Sequence, residues 1–109
     1  MRDRILVEKE LIPYAFDILL AGEMFEMSFG YNKSEGIFTV TLSRDGRVLV
    51  YGEPLVYGKR LFEEIYRSGE FPMLDIVPLD ESGQECAVTW ENFGETVFLT
   101  IAQGGDEDE

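Results

Sequence analysis

Residues able to do chemistry are scarce in this chain, and the missing types narrow the options first. It has no histidine and a single cysteine, Cys86. Without histidine there is no Ser–His or Cys–His nucleophile pair, and the commonest ligand of transition metals is gone. One cysteine makes neither an intramolecular disulfide nor a thiolate zinc site, so folding needs no oxidising compartment. Cys86 sits beside the apolar stretch Ala87–Trp90, where it reads as a small buried side chain rather than a reactive thiol.

Carboxylates are plentiful. Glu63 with Glu64 and Asp80 with Glu81 are the pairs that general acid–base chemistry would have to bring face to face. Adjacent residues on a helix do not share a face, and "DESGQE", Asp80–Glu85, is a polar loop without apolar walls. Both pairs therefore read as solvated acids. Calcium loops need alternating oxygen ligands around a glycine. "RDGR", Arg44–Arg47, and "DESGQE" lack that spacing, and "GGDEDE", Gly104–Glu109, would hold divalent ions only loosely. Gly52 and Gly58 precede the basic pair Lys59–Arg60, but not at the spacing of a phosphate-cradling loop. The basic pair is expected to meet a neighbouring acidic subunit or water. The inventory predicts no enzyme: no catalytic residue, no metal site and no cofactor.

The elements that could position such groups are short and mostly extended. At 109 residues, 45% hydrophobic, the chain has the length of one domain with a modest core. Phe16, Ile18 and Leu20 alternate with wetter positions, as do Phe25, Met27, Phe29 and Tyr31. Ala21–Glu23 joins the two runs, which is the pattern of a β-hairpin. "NKSEG", Asn32–Gly36, is a loop. Phe38, Val40 and Leu42 then face one way, with Thr39, Thr41 and Ser43 facing the other. Asp45-Gly46 supplies a tight turn, and Val48–Tyr51 returns. Gly52–Gly58 reads as an irregular crossing or a short edge strand. "KRLFEEIYRSG", Lys59–Gly69, changes to a helical period and predicts one short helix. Met73–Leu79 is a strand closed by Pro78, Ala87–Trp90 a short strand, Glu91–Gly94 a turn. Thr96–Ala102 is a final strand, apolar on both faces and therefore central in its sheet. The fold class is all-β and mainly antiparallel: a small barrel or sandwich of seven to eight strands with one short helix. Residues 1–102 form a single domain and 103–109 a disordered acidic tail.

Charge limits the partners. There are 22 acidic residues against 9 basic ones, for a net charge of −13. Four of the acids are the last four residues, so 18 remain against 9 bases, and the body keeps a charge of about −9. Such a surface repels phosphate backbones and anionic lipids, which disfavours nucleic-acid binding. The first residues carry no apolar run long enough for a secretory signal, and no stretch approaches the ~20 apolar residues that cross a bilayer. A cytoplasmic site of folding, without membrane insertion, is expected. Aromatic residues are the remaining candidates for function. Tyr31, Tyr51, Tyr57, Tyr66, Trp90 and Phe93 fall at strand ends or loops as often as mid-strand, where they read either as core rims or as interface anchors.

The stretch "FDILLAGEMFEMSFGYNKSEGIFTVTLSRDGRVLVYGEPLVYG" resembles the small baseplate "plug" proteins of contractile-tailed phages and prophages. Phe16, Ile18, Leu20 and Gly22 fit that family's opening strand and turn. Phe25, Met27, Phe29, Tyr31 and Asn32 fit its second strand, and Gly36, Phe38, Asp45, Gly46, Gly52 and Leu55 its third part. "SGEFPMLDIVPL" and "ENFGETVFLTI" resemble its closing strands. The resemblance runs over residues 11–102. Ala21 stands where the family has Asp, and the N-terminal strand and acidic tail look like additions private to this chain. The resemblance implies a non-enzymatic virion part at the distal end of the tail tube. It would meet hub, spike and tube proteins, being made in the host cytoplasm and then carried in the virion tail, with self-association left open. The alternative is a small acidic β-barrel binding module, either a carrier of an apolar ligand or a mimic of nucleic acid.

Overall fold

The computed structural model describes residues 3–63 and 74–103, with backbone alone for 74, 102 and 103. Two antiparallel sheets share one core. The first pairs in chain order: β2 (Tyr14–Leu20), β3 (Glu23–Asn32), β4 (Ile37–Arg44) and β5 (Arg47–Pro54). The second takes its strands from the two ends of the chain. In it β7 (Phe98–Gln103) lies between β1 (Asp3–Ile5) and β6 (Leu74–Leu79). A short 3-10 helix, Lys9–Leu11, precedes β2. Among the described residues the sheets do not close into a barrel; the arrangement is the two-sheet alternative.

Local chemistry explains the four-stranded sheet. Leu20 pairs with Glu23, which leaves Ala21-Gly22 as a two-residue turn with φ of 52° and 83°. Arg44 pairs with Arg47 around Asp45-Gly46, with φ of 54° and 76°. Both turns place two left-handed residues in succession, the geometry whose twist matches that of the flanking strands. The longer β3–β4 loop closes through Asn32. Its carbonyl accepts from the Gly36 amide at 2.7 Å, and its side-chain oxygen from the Glu35 amide at 3.2 Å.

Alternation then sets the faces. Phe25, Met27 and Phe29 of β3 and Phe38, Val40 and Leu42 of β4 are at most 1% exposed. They meet Ile5, Ile76, Val97 and Leu99 from the second sheet's side. Burying each such side chain contributes about 1.5–3 kcal/mol, and cross-strand pairs such as Phe29 with Val40 and Met27 with Leu42 hold the register. β7 is covered on both faces: Leu99 and Thr100 are both fully buried, and the Thr100 hydroxyl donates to the Val77 carbonyl at 2.8 Å. Its central position is the one its two apolar faces predict.

Three local expectations change. Ala87–Trp90 forms no strand, because Thr89 is taken up by Asn92 instead: its amide donates to Asn92 Oδ1 at 2.9 Å. Gly52–Gly58 is divided: β5 continues as far as Pro54, and the chain then crosses to the other sheet. Residues 59–62 run as coil and turn. The Leu61 amide is spent on the Ile76 carbonyl (2.9 Å) and the Phe62 amide on the Glu53 carboxylate, so no helix starts at Lys59. Helical geometry begins at Glu63, and residues 64–69 of the expected helix lie outside the described residues.

Candidate functional site

The six aromatic candidates do not form one patch. Tyr31, Trp90 and Phe93 converge on the core residue Phe38. Phe38 lies 4.6 Å from Tyr31 and from Phe93 and stacks on Trp90 at 5.7 Å, centroid to centroid; Tyr31 and Trp90 are 5.0 Å apart. Phe93 is 1% exposed, so it is a core residue that cannot anchor a partner. Tyr31 and Trp90 form the half-buried rim of that cluster. Tyr57 is half-buried and turned inward: its hydroxyl accepts from the Asp80 amide at 3.1 Å. Tyr51 is the opposite case, 85% exposed on β5. Tyr66 lies outside the described residues.

The connection from Asp80 to Val97 is held by polar groups that residue type alone did not reveal. Asp80 is buried, and its carboxylate accepts from the Ser82 amide (2.9 Å) and hydroxyl (2.6 Å) and from the Gln84 and Glu85 amides (both 3.0 Å). The Ser82 hydroxyl bond foremost, with the three amides behind it, holds the Asp80 carboxyl below its ordinary value against the opposing effect of burial. Asn92 does the same for the second half. Its amide nitrogen donates to Glu85 (3.2 Å) and the Ala87 carbonyl (2.9 Å), and its backbone carbonyl accepts from Glu95, Thr96 and Val97. Lys9 completes the assembly from the other end of the chain. It is 9% exposed, donates to the Trp90 and Glu91 carbonyls, and lies 5.4 Å from the Trp90 ring centroid. The sequence marked Asp80–Glu85 only as a polar loop, although Asp two residues before Ser is a turn-forming pattern. Nothing local marks Lys9 or Asn92.

These contacts reassign the reactive candidates. Asp80 folds its loop, and Glu81 approaches Arg4 at 4.0 Å. Asp75, also buried, pairs with Arg60 at 2.8 Å, which gives one member of the basic pair an acidic partner within its own chain. Cys86 is exposed rather than buried, because the strand expected beside it does not form. Among the described residues no group of three or more acids or cysteines stands close enough to hold a metal ion, and no helix is long and apolar enough to cross a membrane. Surface depressions of about 280, 390 and 460 Å³ open directly to solvent; the largest runs over Gly30, Thr39 and Thr41 beside Tyr51.

What the molecule presents is therefore surface. Leu6, Leu11, Leu19, Met24, Val48, Tyr51 and Val56 are each at least 46% exposed. Leu19 and Met24 are directly opposed across β2 and β3. Scattered apolar residues of this kind are ordinary, but a contiguous apolar pair on a regular strand suits contact with another protein. Comparison with curated proteins returns no match. Residues 2–104 match the model of the family described as cyanophage baseplate Pam3 plug gp18. That span includes β1, so the N-terminal strand is part of the family pattern rather than private to this chain. The chain belongs to the cyanophage baseplate Pam3 plug gp18 family, a family of structural phage-baseplate proteins.

Proposed function

We propose that this protein plugs or adapts the distal end of a phage tail, beside the hub and spike, and that it works by docking rather than by catalysis. The observation that carries this reading is the family match, which spans every strand of both sheets. Baseplate membership brings contact with other baseplate proteins and a place in the virion tail. The finer placement against hub, spike and tube draws on the resemblance of the two hairpins and closing strands to tail plugs. The site chemistry supports it. Asp80, one of the candidate acids, is committed to folding its loop, and the buried Asp75 is paired with Arg60. The core is filled by Phe25, Phe29, Phe38, Phe62 and Phe93, which favours a solid body over a ligand carrier. Burial of Asp75 and Asp80 also removes two acids from any phosphate-like surface array.

Proteomics of purified tails, with and without an intact gene for this chain, tests the reading. The protein is expected at a fixed stoichiometry to the spike, and tails assembled without it are expected to lack the density that closes the tube. Intact, closed tails that never contain the chain would overturn it.

A further inference from the structure

The free edges of the two sheets are not equivalent. Three are blunted in the ways by which natural sheets avoid unwanted pairing. β1 is three residues long. β6 is overlaid by the segment after β5: the Gly58 amide bonds the Pro78 carbonyl and the Leu61 amide the Ile76 carbonyl, both at 2.9 Å. β5 shifts register against β4 in two places and ends at Pro54. β2 has none of these devices. Its seven residues, "YAFDILL", pair with β3 in unbroken register and contain no proline and no basic side chain. Among the described residues no segment covers its other side.

The side chains of β2 fit an edge that awaits another strand. On the inner face Phe16 is opposite Met27 and Ile18 is opposite Phe25. Met27 and Phe25 are 0% and 1% exposed, whereas Phe16 and Ile18 are only half-buried, so the core is open along this border. On the outer face Asp17 stands directly opposite Glu26, a like-charge pair that destabilises a sheet. Arg44, which alternates with Ser43 onto the other side and lies over the Phe25 ring, is held by Glu23 at 2.6 Å. Leu19 and Met24 follow, 63% and 55% exposed.

We infer that β2 is the docking edge of the protein and that it accepts an extended strand from a different baseplate chain, one carrying lysine or arginine beside Asp17 and apolar residues at alternate positions. Such a strand satisfies the outward N–H and C=O groups of Tyr14–Leu20, covers Phe16 and Ile18, and neutralises the Asp17–Glu26 pair. A second copy of this chain is the wrong occupant. Antiparallel self-pairing of β2 would bring a second Asp17 to an edge that already has two acids, between bodies each carrying −13. The inference deepens the baseplate reading and rests on it.

Hydrogen exchange on the isolated protein and on assembled tails tests it, with an Asp17→Lys variant alongside. In the isolated protein the outward amides of Tyr14–Leu20 are expected to exchange freely. In tails they are expected to slow at least about tenfold. The Asp17→Lys protein is expected to keep its circular dichroism yet enter tails several-fold less, while Glu35→Lys, on the exposed β3–β4 loop at the other end of the sheet, enters normally. Tails that contain the protein with those amides still exchanging freely would overturn strand addition and leave the baseplate reading intact. Absence of the protein from tails would overturn the baseplate reading itself. Protection already present in the monomer would assign the edge to a segment of this chain, and protection that grows with protein concentration would assign it to a second copy. Either result would overturn the heterologous strand.

Discussion

The hairpins of residues 14–54 and the connection of residues 80–97 reach order by opposite means. In the hairpins, alternation buries one row of side chains, two-residue turns fix the register, and almost every stabilising contact is apolar or within the backbone ladder. The connection has little regular structure. It is held by a buried aspartate, a buried asparagine and a lysine from 81 residues away in sequence. Apolar periodicity is sufficient to build a sheet. A long irregular segment over the end of a core needs its backbone groups satisfied one by one, and polar side chains do that.

Substitutions can break or sharpen this contrast. The largest effect is expected for Phe38→Ala, since Phe38 joins the hairpin core to Tyr31, Trp90 and Phe93. A loss of about 3–5 kcal/mol in chemical denaturation is expected. Asn92→Ala comes next. It leaves the Thr89 amide and the Ala87 carbonyl without their partner, and a loss of about 2–3 kcal/mol is expected. If the connection is a separate unit held by polar side chains, its amides lose exchange protection before those of β3 and β4 do. Simultaneous loss everywhere would show that the two regions are one cooperative unit.

Asp80 gives a smaller effect, dependent on pH. Its folded carboxyl lies below its ordinary value, so its contribution is complete above the ordinary carboxylate range. The contribution fades as acid protonates the folded group. An NMR titration of the Ser82, Gln84 and Glu85 amides is expected to show midpoints below that range, and Asp80→Asn is expected to abolish them. The smallest effect is a gain. Ala21 sits at φ 52°, a conformation that costs a residue with a Cβ roughly 1 kcal/mol, and asparagine tolerates it better. Ala21→Asn is expected to stabilise the protein by about 0.5–1 kcal/mol in the same denaturation assay. No change would mean that the turn is not strained.

How much could be read in advance follows the same division. Asp45-Gly46 and the rows on either side of it declare their hairpin within fifteen residues, because the turn and the faces depend only on near neighbours. The central place of β7 was legible in its apolar faces. Asn92 and Lys9 were not legible: an asparagine in a turn and a lysine near the start look like solvated residues until distant carbonyls arrive beside them. Cys86 is exposed for the same reason, since the strand that would bury it is prevented by the Thr89–Asn92 hydrogen bonds. Of the aromatic candidates, Phe93 turns inward because Phe38 is there to receive it, and that is a tertiary fact. The bare edge of β2 was not legible in the sequence. Only the pairing order shows that it is an edge.

The proposed function requires the protein to be a docked part of the tail. Cryo-electron microscopy of purified tails tests that most directly. The account predicts a two-sheet body of this shape at the distal end of the tube, touching hub or spike with β2 extended by a neighbour's strand. Tails whose distal density is fully explained by other chains, with this protein recovered only in the unassembled fraction, would contradict it.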